Sequence, residues 1–172
     1  MFHSMVESAA MGNERLVELY QTLLQRKAEM PEDSSTTRLL REGSPGIIAK
    51  GTEELGEFFQ ALLEQGDEEV NLECSQTSYY ILVFMVAQDK GDIREVVTEL
   101  DSRESKSLSL PTTLGLAIRI CAENMGKTYS TLLSPTSTNA DVNSSVVRTF
   151  WSFRDAIEVA GKGSWGSVLD KI

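Results

Sequence analysis

The sequence predicts an all-α protein, and three observations carry that prediction. Apolar residues recur every three to four positions through most of the 172 residues, which is the period of a helix with one buried face. No segment shows the sustained alternation of apolar and polar residues that is typical of a half-buried strand. Proline, glycine and aspartate punctuate the chain between the helical stretches. The length fits one domain with room for an appendage.

The chain is expected to divide into three parts. Residues 1–12 have no clear pattern and are predicted to be a loose arm. Residues 13–103 are predicted to form the main helical domain. Residues 104–172 are predicted to add a C-terminal two-helix extension, which packs on the same core or on a dimer partner.

The first helix is expected to begin at Asn13, a residue type that caps helices well. Leucine residues fall on one stripe along it. Pro31 ends the helix, because proline restricts the backbone of the residue before it. A polar, turn-prone segment over 31–37 leads into a short helix over 37–42, which stops at Gly43.

Three longer helices are predicted to complete the main domain. Ser44 and Pro45 have the pattern of an N-cap and a first helical residue, and this helix runs to about Gln65. Asp67 is expected to cap the third helix, which is the most apolar and therefore the most buried. Asp92 is expected to cap the fourth.

The predicted C-terminal extension differs in composition from the main domain. A serine- and lysine-rich linker is predicted over 102–110, and the segment 111–113 opens the next helix. A polar connection then leads to a last helix, capped by Asp141 and rich in aromatic residues. The glycine-rich segment 161–166 breaks this helix and leaves a short tail.

The composition excludes several classes of function. The net charge of −10 argues against binding to nucleic acid or to anionic membranes, because both need clustered lysine and arginine. The longest apolar run, 79–87, is too short to span a bilayer, and the N-terminus lacks the pattern of a signal peptide. Cys74 and Cys121 have no CxxC-like partner and are expected to be buried thiols. We therefore expect a cytoplasmic protein that acts on a small molecule.

Two acidic stretches carry the candidate chemistry. Glu53, Glu54 and Glu57 lie at positions i, i+1 and i+4, and are expected to converge on one helix face. Glu73 begins a second polar stripe on the following helix. Two facing helices with such stripes would hold a hard cation between them. Oxygen ligands favour Mg²⁺ or Mn²⁺ over zinc.

Residues 15–103 resemble phosphoribosyl-ATP pyrophosphohydrolase, a histidine-pathway member of the all-α, MazG-like superfamily of nucleoside triphosphate pyrophosphohydrolases. Arg26, the segment 31–34 and the segment 37–40 are similar to the family's substrate-side opening. Lys50 together with the following glutamates is similar to its lysine-plus-EExxE motif. Glu73 lies where the next acidic ligand belongs.

The resemblance implies a MazG-like helical bundle, usually assembled as a homodimer. It implies cleavage of an α–β phosphoanhydride, which yields a nucleoside monophosphate and pyrophosphate. It also implies catalytic residues that hold Mg²⁺, with Mn²⁺ as an alternative, and these are Glu53, Glu54, Glu57 and Glu73. The residues expected to contact the substrate and its phosphates are Lys50, Arg26, Arg38, Gln76 and Tyr80.

Two positions depart from the family pattern. Gln76 occupies a place where the family has aspartate, and Tyr80 one where it usually has histidine. Gln76 is either a tolerated ligand, offering only a neutral carbonyl oxygen, or the mark of an abandoned metal site. Tyr80 either packs in the core or donates a proton or hydrogen bond to the substrate.

These departures leave two alternative functions open beside the pyrophosphohydrolase. In one, the carboxylates act as general acid and base on a small organic substrate, with no metal cofactor, because close carboxylates raise one another's pKa. In the other, the protein is a non-enzymatic binding or scaffold protein, and side chains plug the pocket. A solvated helix face would also account for a lone EExxE, but the second acidic position at the family spacing favours a cavity.

Overall fold

The computed structural model describes the backbone of residues 2–103 and 110–172, and the side chains of residues 13–102 and 110–172. The prediction of an all-α fold is confirmed, since these residues form helices and no strands. None of the described helices has the length and apolar character needed to cross a bilayer. The seven helices are α1 (Phe2–Glu29), α2 (Ser35–Glu64), α3 (Asp67–Gln88), α4 (Ile93–Arg103), α5 (Leu114–Leu133), α6 (Asn139–Ala160) and α7 (Trp165–Lys171).

Helix α1 begins at Phe2, so the prediction of a loose arm over 1–12 and a cap at Asn13 is wrong. Residues 2–12 contain no proline and one glycine, and nothing in them stops a helix. Asn13 lies inside α1, where its buried amide donates a hydrogen bond of 2.6 Å to Asp101 on α4. The end of α1 is as predicted: Met30 has a left-handed φ of 48°, and Pro31 follows.

Helix α2 joins two segments that the sequence predicted as separate helices. It begins at Ser35, earlier than expected, because the hydroxyl of Ser34 accepts a bond from the Thr37 amide at 3.4 Å and so caps the helix. Gly43, with a φ of 71°, kinks α2 where the sequence predicted a stop. Pro45 follows directly after this kink, in the first turn of the second segment, where a missing N–H is tolerated.

Helix α3 is the centre of the fold, as its apolar composition predicted. The side chains of residues 81–86 are completely buried. Gly66 is the N-cap of α3, so Asp67 is its first residue rather than its cap. Leu72 is an exception among the apolar residues of α3, since 41% of its surface is exposed. Asp92 does cap α4, since its carboxylate accepts the Arg94 amide at 2.8 Å.

The described part of the C-terminal extension, residues 110–172, contains three helices instead of two. Thr138 is the N-cap of α6, and Asp141 lies three residues inside, where the two form a reciprocal capping box. The expected short tail is helix α7, whose N-cap is Ser164. Residues 104–109, most of the predicted linker, lie outside the described part of the chain.

Two helical hairpins build the core. Helices α2 and α3 form one, joined by a two-residue turn, and α5 and α6 form the other. Phe58 on α2 meets Phe153 on α6 edge to face, with ring centroids 5.5 Å apart. Helix α4 packs on α1 and α6, and α7 packs on α1 and α3. This arrangement buries one side of the α2–α3 hairpin and leaves its acidic side accessible.

Candidate functional site

Three carboxylates converge where α2 and α3 run side by side. Glu54, Glu57 and Glu73 each offer an oxygen atom, and these atoms all lie within 4.8 Å of one another. Glu54 is only 8% exposed, and one of its carboxylate oxygens is buried without a hydrogen-bond partner among the described residues. Clustered anionic oxygens with one unpaired buried atom match the ligands that hard divalent cations prefer. The residues present therefore fit such an ion.

Glu53 does not join this cluster. Successive residues on an α-helix point about 100° apart, so Glu53 and Glu54 project in different directions, although Glu53 and Glu57 lie one turn apart. The Glu53 carboxylate is half exposed and accepts a hydrogen bond from the Lys50 ammonium at 2.6 Å. Lys50 and Glu53 thus form an ion pair on the flank of the cluster.

Burial and mutual repulsion disfavour the ionised form of the clustered carboxylates. Burial raises the pKa of the Glu54 carboxyl, and neighbouring carboxylates, Glu57 first, raise it further, while Lys50 acts in the opposite direction. Burial also raises the pKa of Glu73, with the charge of Glu57 and a hydrogen bond to it as further causes. A bound cation would remove this repulsion.

Gln76 lies beside the cluster and connects it with a cavity. Its side-chain amide donates to a Glu73 carboxylate oxygen at 3.4 Å, so it supports Glu73 instead of adding a charge. Tyr80 is half-buried in the same wall, and its pKa is raised by burial and then by the charge of Glu54. Its ring meets that of Tyr79 edge to face, with centroids 5.2 Å apart. Neither tyrosine is fully buried.

The cavity has a volume of about 600 Å³ and contains four of the five predicted substrate contacts. The fifth, Arg26, lies outside its lining: its guanidinium donates to the Thr36 hydroxyl at 2.9 Å, which in turn bonds the Tyr79 hydroxyl at 2.9 Å. Arg26 thereby supports the cavity wall from behind. The lining residues on the polar side are Ser35, Arg38, Glu42, Lys50, Ser75, Gln76, Tyr79, Tyr80 and Lys171.

The sequence prediction missed the contribution of α7. Lys171 and Ile172 line the cavity together with Leu72, whose unexpected exposure the cavity explains. No local pattern could have revealed this contact, because about 100 residues separate α7 from α3 in the chain.

Comparison with known proteins adds a family match. The family profile described as phosphoribosyl-ATP pyrophosphohydrolase matches residues 16–104. Over 93 residues the chain is 34% identical to the phosphoribosyl-ATP pyrophosphatase of Leptospira biflexa, which covers 54% of this chain and 99% of the relative. Over 91 residues it is 34% identical to the protein of that name from Halobacterium salinarum, covering 51% and 95% of the two chains.

Longer relatives match over the same part of the chain. The histidine biosynthesis bifunctional protein HisIE of Thermotoga maritima is 35% identical over 88 residues, which are 51% of this chain and 44% of the relative. The chain therefore spans less than half of the bifunctional relatives that it matches. No solved structure matches the chain. Helices α5, α6 and α7 lie beyond the residues matched by the family profile.

Proposed function

This chain belongs to the phosphoribosyl-ATP pyrophosphohydrolase family, and we propose that it hydrolyses the α–β phosphoanhydride of phosphoribosyl-ATP or a related nucleotide. Water is added across the bond, and the products are a nucleoside monophosphate and pyrophosphate. The observation that carries the proposal is the convergence of Glu54, Glu57 and Glu73 beside a cavity of about 600 Å³. A cytoplasmic location and a homodimer remain predictions beside it.

The proposed metal ligands are Glu54, Glu57 and Glu73, holding Mg²⁺ or Mn²⁺. When bound, the ion supplies Lewis-acid stabilisation of the charge that develops on the phosphate oxygens. The predicted fourth ligand, Glu53, is instead proposed to position Lys50, to which it is bonded at 2.6 Å. Two observations support this assignment. One buried oxygen of Glu54 has no hydrogen-bond partner among the described residues, and carboxylate oxygens of the three glutamates lie within 4.8 Å of one another.

Cationic side chains are proposed to hold the phosphates. Lys50 and Arg38 both line the cavity, and an ammonium or guanidinium group there offsets the charge that a polyphosphate brings. Gln76 is proposed to orient Glu73 through its amide hydrogen bond of 3.4 Å, which favours the interpretation of Gln76 as a tolerated substitution. Tyr79 and Tyr80 offer flat aromatic surface for the nucleoside part of the substrate.

Neither alternative function gains support from the comparisons, whose named relatives are pyrophosphatases and bifunctional histidine-biosynthesis proteins. The scaffold alternative predicted a pocket plugged by side chains, whereas the cavity beside the carboxylates is open. The metal-free acid–base alternative shares the raised pKa of Glu54 with the proposed function, so only a test with metal and chelator separates the two.

The proposal is tested by pyrophosphate release from phosphoribosyl-ATP and from a panel of nucleoside triphosphates, with Mg²⁺, with Mn²⁺ and with EDTA. We expect metal-dependent release that falls by about a hundredfold or more in Glu54→Gln, because loss of metal-site residues has effects of at least this order. Glu64→Gln is the matched control, since Glu64 is an exposed carboxylate on the same helix. Folded protein that releases no pyrophosphate from any nucleotide would rule out the proposed function.

A further inference from the structure

Helix α7 lies beyond the residues matched by the family profile, yet it forms part of the cavity wall. It is held in place from both ends. At its start, the Ser164 amide donates to Asn71 at 3.1 Å and the Trp165 indole donates to Asn13 at 3.1 Å. At its end, Asp170 pairs with Arg15 at 3.2 Å. These contacts fix Lys171 at the rim of the cavity.

The cavity carries cationic groups at both ends of the α3 wall. Lys171 pairs at 3.3 Å with Glu68, in the first turn of α3. Lys50 lies next to Gly51, and a Cβ added at Gly51 would meet the Cβ of Tyr80. Tyr80 is twelve residues after Glu68 on α3. At a rise of 1.5 Å per residue, these two positions on α3 are about 18 Å apart. The carboxylate cluster adjoins Lys50 through Glu53 and Glu54, whereas no described contact joins it to Lys171.

The charged side chains that line the cavity are mostly cationic, although the protein is acidic. The chain has a net charge of −10, but the lining contains three cationic side chains and one carboxylate, namely Arg38, Lys50, Lys171 and Glu42. Lys50 and Lys171 are each paired with a carboxylate outside this lining, Glu53 and Glu68, and cationic side chains that line a cavity are suited to binding an anionic ligand. Lys171 and Lys50 reach α3 at positions about 18 Å apart along the helix axis, which matches a ligand with negative groups at two separate ends.

Phosphoribosyl-ATP has such a shape, because it carries a triphosphate on its ribose and a second phosphate on the phosphoribosyl group. We propose that Lys171 binds the phosphoribosyl phosphate and thereby makes the cavity selective for phosphoribosyl-ATP over ATP. This inference rests on the proposed function and adds a specificity-determining residue from outside the family's matched region. The triphosphate then lies at the opposite end, with Lys50 and the carboxylates.

The ion pair with Glu68 leaves Lys171 available for this role. Glu68 is 80% exposed, and ion pairs between solvent-exposed side chains contribute little to stability. The ammonium can therefore exchange Glu68 for a phosphate at little cost. A purely structural role for Lys171 would act through Glu68, so removing either partner would have the same effect.

The experiment compares Lys171→Gln, Lys171→Arg and Glu68→Gln in the full chain with magnesium present. For each variant, KM and kcat are measured for phosphoribosyl-ATP and ATP, and the Kd of both nucleotides is measured by calorimetry. We expect Lys171→Gln to raise KM and Kd for phosphoribosyl-ATP about tenfold, the effect of losing one charge-assisted hydrogen bond. Its values for ATP stay unchanged, and Lys171→Arg and Glu68→Gln behave like the wild type.

Three other outcomes decide against the inference. Equal weakening for ATP and phosphoribosyl-ATP, or the same loss in Glu68→Gln, would assign Lys171 a structural role. Wild-type protein that binds neither nucleotide would also overturn it. If the wild type binds phosphoribosyl-ATP but releases no pyrophosphate, the proposed function fails, and calorimetry alone still decides whether Lys171 recognises the second phosphate.

Discussion

Replacing Glu54 by glutamine is expected to stabilise the metal-free protein while it abolishes the response to metal. Oxygens of Glu54, Glu57 and Glu73 lie within 4.8 Å of one another. At that distance two unit charges repel by about 1 kcal/mol in water and about 3 kcal/mol at an effective dielectric constant of 20. Because Glu57 is exposed to solvent, we expect a gain near the lower value, about 1–2 kcal/mol in total.

The assay is thermal and denaturant unfolding of the wild type, Glu54→Gln and Glu64→Gln, in EDTA and in magnesium. In EDTA, the Tm of Glu54→Gln should exceed that of the wild type by about 3–6 °C. Magnesium at a hundred times its Kd should stabilise the wild type by about 2.7 kcal/mol. The same magnesium concentration should leave Glu54→Gln nearly unchanged.

Two results would refute this reasoning. If Glu54→Gln is less stable than the wild type in EDTA while Glu64→Gln is unchanged, the carboxylates do not repel one another in the folded state. If magnesium stabilises Glu54→Gln as much as the wild type, Glu54 is not a ligand. Glu64 is the appropriate control because its exposed carboxylate accepts a hydrogen bond from Gln60 at 3.2 Å and is not one of the three clustered carboxylates.

Three further predictions concern the site and the core. Gly51→Ala should lower the free energy of unfolding by about 1–3 kcal/mol in a denaturant titration, because the new methyl group would overlap the buried Tyr129 hydroxyl. Unchanged stability would contradict this packing. Gln76→Asp should tighten magnesium binding about tenfold by calorimetry, since it adds a charged ligand at the cluster, and weaker binding would place Gln76 outside the metal's reach. Burial raises the pKa of the Cys121 thiol to about 12 and that of Cys74 well above its usual range. At pH 8 only about one thiol in ten thousand is ionised at a pKa of 12, so both cysteines should resist a thiol reagent and react only after unfolding or at strongly alkaline pH. Rapid labelling of the native protein would refute this.

Much of the fold was predictable because helix signals are local. The stop at Pro31, the cap at Asp92 and the break at Gly43 each depend on a few neighbouring residues, and the structure has them where the sequence predicted them. The errors fall where two local signals compete. Asn13 has a capping side chain, but the residues before it favour a helix as well, and the buried bond to Asp101 holds it inside α1.

The candidate site was predictable in part for a similar reason. The spacing of Glu54 and Glu57 at i and i+3 ensures that they share a face, and the short turn after α2 ensures that Glu73 comes near them. Glu53 lies one helical turn from Glu57 and fits the same spacing rule, but its carboxylate pairs with Lys50 outside the cluster. The spacing alone did not show whether the side of α2 that carries Glu53 or the side that carries Glu54 would face α3.

By itself, the sequence determined the helical class and the carboxylate stripe on α2, because both follow from periods of three to four residues. Only the tertiary structure decided which carboxylates meet, and that Lys171 lines a cavity whose other walls come from residues about 90 or more positions earlier in the chain. The physical reason is that helix rotation and the docking of α7 are set by packing between residues up to 155 positions apart, as in the contact of Arg15 with Asp170. No pattern within a short stretch of sequence specifies which contacts form between residues so far apart in the chain.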